Sequence, residues 1–426
     1  MATLTALLRR NPDYRYTWMG QVVSEIGDYF NAVAVLALIL EQTGSGMAVS
    51  LVFLSRAIPS VMAAPFAGVL LDRLSRKHIM IASDLVRAVV VLGFILTVHE
   101  SRPWLFYFLS ALLAFATPFF TSGRAAILPD IVSDDELHTA NSLTQTTGWA
   151  TLTAGAMLGG WGAAKFGYTA AFVLNSLSFV FSAWCIWRIH PRVSGVADRP
   201  SPRPVRKRGG GMRDYIEGLA YIRSVPLMVG IGMISVGWAI GGGAAQILFA
   251  LFGDQVFHRG PSGIGNIWGF AGLGLLIGGP LGHVVGRRST FASYKRTVGI
   301  SYLVHGAGYM LFSQAGSWSA ALLLIALSRV GMAVSTVLNT SQLLIHTPDQ
   351  FRGRVFSTME SLRNSVMIFS VSVAGVASQH YGPRAIGLVA GSCGLLTAIV
   401  WTWADWTGRL PEPARASCDT EQKAST

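Results

Sequence analysis

Charged residues are scarce in this sequence. Asp, Glu, Lys and Arg together make up 13% of the 426 residues, while 51% are hydrophobic. Soluble domains carry about 25% charged residues. A chain with so little charge cannot cover its surface with polar groups in water, which excludes an ordinary soluble protein. The composition indicates a protein whose outer surface lies in a lipid bilayer.

Cysteine is also scarce, since the sequence has only Cys185, Cys393 and Cys418. Two of them lie in apolar stretches and one in the polar tail, and their spacing fits neither a metal site nor a disulfide framework. A Walker motif is absent, which argues against direct use of ATP. The residues up to Asp13 lack the apolar core of a signal peptide. We predict neither a cofactor nor a metal.

Long apolar runs, by contrast, are abundant. A helix needs about 20 apolar residues to cross a bilayer, and twelve stretches reach that length. The sequence therefore predicts an all-α membrane protein with twelve transmembrane helices. The stretches cover residues 15–41, 46–71, 79–98, 104–127, 140–164, 168–189, 227–252, 262–285, 294–314, 317–343, 353–380 and 383–405.

The net charge of +12 is distributed unevenly along the chain. If the N-terminus lies inside, most of the Lys and Arg residues fall on the inner side of the spans, as the positive-inside bias requires. The basic charge therefore indicates topology and not a nucleic-acid partner. We predict a multi-pass protein of the inner (plasma) membrane with both termini in the cytoplasm.

The two halves of the chain repeat. An offset of 214 residues aligns Gly68 with Gly282 and Arg73 with Arg287. Parallel repeats of this kind are typical of two pseudo-symmetric six-helix bundles. We predict an N-terminal bundle, a cytoplasmic linker ending in an amphipathic helix, a C-terminal bundle and a cytoplasmic tail, covering residues 1–189, 190–226, 227–406 and 407–426.

Several ionisable residues lie inside the apolar stretches. Each costs about 2.5–3.5 kcal/mol on insertion scales, so such residues usually face the protein interior. Glu25 and Asp28 share one face of the first span, and Arg56 lies at a similar depth in the second span. We predict that Arg56 approaches one of these acids, either as a permanent structural ion pair or as part of a proton-coupling site.

Other polar residues within the spans have weaker interpretations. Asp84 with Arg87, and Glu360 with Arg363, are three residues apart, and we interpret them as structural pairs. Amide and aromatic side chains can line a substrate cavity, although each alone can equally serve helix packing or interface anchoring. Trp238 is one of several aromatic residues able to stack on a ligand. The main candidates for a substrate cavity are Gln21, Asn31, Gln145, Trp149, Gln246 and Asn266.

Two short motifs carry a family resemblance. The stretch Gly68-Val-Leu-Leu-Asp72-Arg73-Leu-Ser75-Arg76-Lys77 resembles the loop signature G-x-L-x-D-R-x-G-R-K of the major facilitator superfamily. In the fifth span, Thr151 to Gly160 resembles the motif g-x-x-x-G-P-x-x-G-G of drug antiporters in that superfamily. It keeps three glycines, with Ala156 in place of the proline, and these glycines are Gly155, Gly159 and Gly160.

A further likeness narrows the family. Glu217 to Arg223, and Gly353-Arg354-Val355, resemble the branch that holds the enterobactin exporter and macrolide efflux proteins. The resemblance implies a monomeric secondary exporter of an amphiphilic drug, antibiotic or siderophore, working by proton antiport and alternating access within the bilayer. An importer of a small metabolite on the same fold is the alternative. A membrane enzyme is disfavoured because the histidines are scattered and mostly lie near loops.

The resemblance also implies roles for the loop residues. Asp72 is expected to close the cytoplasmic side in an outward-facing state, by pairing with Arg124 or with the start of helix eleven, where Arg354 lies. The basic residues Arg73, Arg76 and Lys77 anchor the topology or take part in gating.

Overall fold

A computed structural model describes residues 4–99, 102–190 and 211–413 of the chain. Within these ranges the chain is helical, with short connections and no β-strand. A π-helical turn, Phe252–Val256, extends α9. The helices are α1 (Leu4–Arg10), α2 (Pro12–Thr43), α3 (Gly46–Arg73), α4 (Arg76–Gly93), α5 (Ile95–His99), α6 (Pro103–Ile131), α7 (Asp134–Trp187), α8 (Gly211–Ser224), α9 (Pro226–Leu251), α10 (Gly260–Arg288), α11 (Phe291–Gln314), α12 (Trp318–His346), α13 (Asp349–Ala377) and α14 (Pro383–Trp406).

Local sequence explains where the first span begins and ends. The side-chain oxygen of Asn11 accepts the backbone N–H of Tyr14 at 3.0 Å, which caps α2. Pro12 follows at the first helical position, where a missing N–H costs nothing. At the other end Gly44 adopts the left-handed conformation, with φ 61°, and donates to the carbonyl of Leu40 at 2.7 Å. This cap turns the chain directly into α3.

The element α7, 54 residues long, consists of two helical spans that meet at a kink. At Gly167 the backbone has φ 80° and ψ 170°, a conformation that glycine reaches without a steric penalty. The interruption falls between the predicted spans 140–164 and 168–189. It therefore supplies the break that two successive spans require.

The described helices account for the twelve predicted spans. Nine of them are long and apolar enough to cross a bilayer, with α4 and α5 counted together and α7 contributing two spans. The helices α11 and α13, with 24 and 29 residues, are also long enough at about 1.5 Å per residue, although they are less apolar. The predicted fold class, an all-α membrane protein with twelve transmembrane helices, is confirmed.

The helices group into two compact units. The first unit comprises Met1–Pro200, Gln246–Leu273 and Val371–Pro383. It therefore joins the first six spans to one end of α9, α10 and α13. The second unit comprises Ser201–Ala245, Gly274–Ser370 and Arg384–Thr426. The bundle boundaries inferred from the sequence repeat stay a prediction.

Each unit has its own apolar core. In the first unit, buried side chains of α1, α2, α4, α6 and α7 pack together, Tyr14 and Phe120 being among the largest. In the second unit, the core surrounds Tyr294, Tyr302 and Trp401. The Trp401 indole also donates to the backbone carbonyl of Lys295 at 2.9 Å, so the largest buried side chain leaves no polar atom unsatisfied.

The second unit begins with α8, where the sequence predicts an amphipathic helix. Ile222 is buried in the core and Ile216 is exposed, as expected for a helix with one apolar face. Tyr221 stacks on Phe351 of α13 with ring centroids 4.7 Å apart. Most of the predicted linker, and the tail beyond residue 413, lie outside the described residues.

Candidate functional site

Charged side chains from three spans meet inside the first unit. The helix α2 supplies Glu25 and Asp28, α4 supplies Asp84 and Arg87, and α6 supplies Arg124. Two ion pairs join different helices, Arg124 to Glu25 at 3.3 Å and Arg87 to Asp28 at 3.9 Å. We call these five residues the charged cluster. Their convergence agrees with the expectation that ionisable residues within spans face the protein interior.

The carboxylate of Glu25 is held by several donors. It accepts hydrogen bonds from Gln21 Nε2 at 2.9 Å and from the Thr151 hydroxyl at 2.7 Å, besides its ion pair with Arg124. Gln21 is buried and also donates to the Thr144 carbonyl at 3.2 Å. Glu25 thereby connects α2 to both α6 and α7 through charge-assisted hydrogen bonds, which are stronger than neutral ones.

The guanidinium of Arg87 is shared between two carboxylates. It forms a short hydrogen bond with Asp84 one turn earlier on α4, and it faces Asp28 across the helix contact. The side chains of Asp84 and Arg87 are 0% and 3% exposed, whereas that of Asp28 is 35% exposed. The cluster therefore has an inaccessible ion pair at one end and an accessible acid at the other.

Aromatic rings complete the surroundings of Arg87. Its guanidinium carbon lies 4.7 Å from the ring centroid of Phe120 and 4.3 Å from that of Phe179. Cation–π contacts of this kind stabilise a cation that has lost its water. They hold Arg87 in place whether or not Asp28 carries a charge.

Arg56 only partly meets its prediction. It lies close enough to Asp28 to affect that carboxyl electrostatically, which agrees with its expected approach to one of the two acids. Among the described residues, however, it forms no ion pair with Glu25 or Asp28, whose partners are Arg124 and Arg87. The two closer cations come from α6 and α4.

The basic residues at the start of α4 contact other helices of the first unit. Arg76 pairs with Asp130 at 2.8 Å and donates to the Ala126 carbonyl at 2.7 Å. Lys77 donates to the Ile189 carbonyl at 2.7 Å. These contacts join the start of α4 to the ends of α6 and α7, and the expected part of these residues in topology or gating stays a prediction.

The remaining gating candidates are more accessible. Asp72 and Arg73 are exposed, and a Cβ placed on Gly68 would meet open space. Arg124, one of the partners expected for Asp72 in an outward-facing state, contacts Glu25 in this structure. That expectation stays a prediction. In the second unit, Arg354 pairs with Glu217 of α8 at 2.8 Å.

The three glycines of the fifth-span motif lie at close helix contacts. A Cβ placed on Gly155 would lie 3.0 Å from the Tyr29 ring, and one on Gly159 would lie 2.8 Å from Cα of Phe30. A Cβ on Gly160 would lie 2.6 Å from the carbonyl oxygen of Pro261 on α10. The motif thus lets α7 approach both α2 and α10 closely, as small residues do in membrane helices.

The predicted cavity residues have different environments. Gln21 and Asn31 are buried, Trp149, Gln246 and Asn266 are half-buried, and Gln145 is exposed. The oxygen of the Asn31 amide is buried without a hydrogen-bond partner among the described residues. Only Gln21 belongs to the surroundings of the charged cluster.

The second unit contains a cavity of about 170 Å³ between α9, α11, α12 and α13. Its walls are mostly apolar, with the Trp238 indole donating to the Met332 sulfur at 2.8 Å. The guanidinium of Arg363 lies 5.6 Å from a Trp238 ring centroid and pairs with Glu360. Asn339 also reaches the cavity. This pocket offers an aromatic face beside a single ion pair.

The sequence pattern indicates Asp84 with Arg87, and Glu360 with Arg363, only as local pairs. It does not predict that Arg87 lies beside Asp28 or that Arg363 lies beside Trp238. Arg87 lies twelve residues before the end of α5 at His99. Counting residues from the ends of the spans therefore places Arg87, like Arg56, at about the same depth as Asp28.

The family follows from a direct comparison. The sequence profile of the Major Facilitator Superfamily matches residues 17–371. The chain belongs to this superfamily. The likeness inferred from the loop signature is confirmed, and the protein is a multi-pass membrane transporter.

Individual relatives agree with this assignment. The MFS-type transporter YfiS of Bacillus subtilis is 26% identical over 398 residues, which are 89% of this chain and 91% of that protein. Macrolide efflux protein A of Streptococcus pyogenes is 23% identical over 399 residues, which are 90% and 93% of the two chains. A bacterial homologue of the iron transporter ferroportin, solved in an inward-facing state, matches with a TM-score of 0.69 and 17% identity over 92% and 98% of the chains. That structural likeness shows the fold alone.

Proposed function

We propose that this transporter is a secondary exporter, which moves an amphiphilic small molecule outward in exchange for protons. The observation that carries the proposal is the arrangement of the charged cluster. Asp28 is 35% exposed while its partner Arg87 is 3% exposed. A proton can reach such an acid, and a buried guanidinium at a fixed position stabilises the acid when it is ionised.

Proton binding would change one contact between two helices. Ionised Asp28 on α2 attracts Arg87 on α4, and protonated Asp28 does not. Arg87 keeps its other partners, Asp84, Phe120 and Phe179, so it stays with α4 in both cases. A ligand shifts a conformational equilibrium only if it binds one of the two conformations more tightly than the other. A proton would do so here, because it binds Asp28 more weakly in a conformation that keeps the ion pair with Arg87.

The second unit is suited to binding the amphiphilic substrate. Its cavity of about 170 Å³ combines apolar walls with the Trp238 ring and one ion pair, which suits the aromatic or apolar part of an amphiphile better than a sugar or an inorganic ion. The name of macrolide efflux protein A, a relative over most of the chain, supports a substrate of this kind.

The proton gradient is large enough for this work. One proton crossing about 100 mV releases about 2.3 kcal/mol, and one pH unit adds about 1.4 kcal/mol. Together they sustain a substrate gradient of about 500-fold at one-to-one coupling.

Transport into inverted membrane vesicles tests the proposal. A panel of fluorescent dyes and macrolides is offered with and without a proton gradient, to wild type, to Asp28→Asn and to Glu25→Gln. We expect gradient-driven uptake in wild type and its loss in Asp28→Asn. Asp135→Asn, which changes an exposed acid at the start of α7, is the matched control.

The same assay distinguishes the alternatives. Gradient-driven uptake that survives in Asp28→Asn would remove this acid as the obligatory proton carrier. Substrate uptake only by right-side-out vesicles would indicate an importer instead. Uptake that ignores the proton gradient in every variant would contradict proton coupling itself.

A further inference from the structure

We propose that the second unit binds the headgroup of an anionic phospholipid, in a cavity beside the connection between α10 and α11. The cavity has a volume of about 210 Å³ and lies between α10, α11 and α12. None of its lining residues is acidic. Its polar lining comes from His283, Arg287, Ser289, Tyr294, Ser341 and Gln342.

Two basic side chains lie on one wall of this cavity. His283 and Arg287 are four residues apart on α10 and therefore project from the same face, one turn from each other. Both are exposed. Among the described residues neither forms an ion pair or a side-chain hydrogen bond. The part of the chain that the structure describes therefore leaves the charge of Arg287 without a counter-ion.

The opposite wall adds an amide donor. The Gln342 oxygen contacts His346 Nε2 at 3.0 Å, which leaves the Gln342 amide nitrogen available. The hydroxyls of Ser289 and Ser341 already donate to helix carbonyls at 2.8 and 2.9 Å, and the Tyr294 hydroxyl donates to Asn339. The free donors are thus a guanidinium, an imidazole and an amide, which suit the acceptor oxygens of a phosphate diester.

The corresponding region of the first half carries acidic as well as basic residues. There Arg76, whose counterpart by the repeat offset is Thr290, pairs with Asp130 of the same unit. The repeat offset places Leu344 at the position of Asp130 and Gly286 at the position of Asp72. Both acids of the first half are therefore absent from the second half, while Arg287 keeps the place of Arg73.

The surroundings favour a lipid over a soluble phosphate. Leu281 and Val284 on α10, and Leu344 and Ile345 on α12, are exposed apolar side chains next to the cavity. They offer a surface along which acyl chains can lie. The positive-inside bias predicts this end of the spans to be cytoplasmic, where anionic lipids attract basic side chains.

Native mass spectrometry of the purified full-length protein tests this site. Phosphatidylglycerol and phosphatidylcholine with the same acyl chains are titrated against wild type, Arg287→Gln, His283→Gln and Arg288→Gln. Arg288 is exposed and adjacent in sequence but does not line the cavity. We expect wild type to prefer phosphatidylglycerol, Arg287→Gln to weaken its binding about fivefold, and Arg288→Gln to leave it unchanged.

Several outcomes would overturn the proposal. Equal binding of the two lipids to wild type would remove the anionic selectivity, and equal loss in Arg287→Gln and Arg288→Gln would show only diffuse surface charge. Displacement of the lipid by millimolar inorganic phosphate would assign the site to a soluble anion. If Arg287→Gln does not fold, His283→Gln and the charge-conserving Arg287→Lys take its place. Reduced lipid selectivity is then expected in His283→Gln and retained selectivity in Arg287→Lys, and the opposite pattern would reject the site.

Discussion

Replacing Arg87 with methionine tests whether one buried guanidinium holds the charged cluster together. Methionine keeps an unbranched apolar side chain but removes the charge, so the fully buried carboxylate of Asp84 loses its partner. Breaking a buried ion pair from one side costs about 3–5 kcal/mol, because the remaining charge stays uncompensated. We expect the apparent unfolding temperature to fall by roughly 10 °C.

A second substitution separates stability from coupling. In the double variant Asp84→Asn/Arg87→Met both charges of the buried pair are gone, and removing both partners is far less costly than removing one. We therefore expect most of the stability to return. Asp28, however, still lacks its ion-pair partner in the double variant. Proton-driven transport should stay impaired although the protein is folded.

The unfolding assay can use a cysteine already present beside the cluster. Cys185 on α7 is fully buried, and its thiol reacts with a fluorogenic dye only when the first unit opens. Arg73→Met, at an exposed position of the adjacent loop, is the control that should melt like wild type. A single Arg87→Met variant as stable as wild type would refute the buried pair. Wild-type coupling in the double variant would refute the role of Arg87 beside Asp28.

Three further predictions concern other parts of the molecule. Asp72→Asn should leave folding and unfolding temperature unchanged and slow transport in vesicles, and wild-type turnover would end the gating interpretation. Gly160→Ala should destabilise the first unit by about 1–3 kcal/mol, because its Cβ would lie 2.6 Å from the carbonyl oxygen of Pro261. Gly68→Ala should leave the stability unchanged, because open space surrounds that position. Equal unfolding temperatures of the two variants would contradict this prediction. Trp238→Ala should raise the KM for bulky aromatic substrates several-fold while Trp238→Phe keeps it, and an unchanged KM in both would exclude stacking on this ring.

The fold could be read from the sequence because a bilayer imposes a simple length rule. Twelve apolar runs predicted twelve spans, and even the boundary between the fifth and sixth falls at Gly167, where the backbone leaves the helical region. The compact units could not be inferred in the same way. They depend on which helix ends pack together, as Gly160 does with Gly265, and apolar patterns do not encode lateral neighbours.

The charged cluster could be predicted in part, because the bilayer also restricts where charged side chains can lie. The high cost of a charge in hydrocarbon indicated that Glu25 and Asp28 face inward. Depth along the bilayer, however, does not distinguish between cations on different helices. Both Arg56 and Arg87 are candidates for this reason, and only the three-dimensional arrangement of the helices brings Arg87 within 3.9 Å of Asp28 as its ion-pair partner.

The repeat also agrees with the proposal that the two halves have different tasks. The offset that aligns the loops places small or apolar residues of the second half opposite every member of the charged cluster. The counterparts of Glu25, Asp28, Asp84, Arg87 and Arg124 are Ala239, Gly242, Val298, Ser301 and Leu338. Duplicating the cluster would add several ionisable groups at about 2.5–3.5 kcal/mol each on insertion scales. It would also place further charge beside the mostly apolar cavity at Trp238, whose lining already holds the Glu360–Arg363 ion pair. The second half also lacks counterparts of Asp72 and Asp130, since the offset places Gly286 and Leu344 there, which agrees with the phospholipid site proposed at Arg287. The difference between the two repeats thus agrees with the proposed division, in which the first unit couples protons and the second binds ligand and lipid.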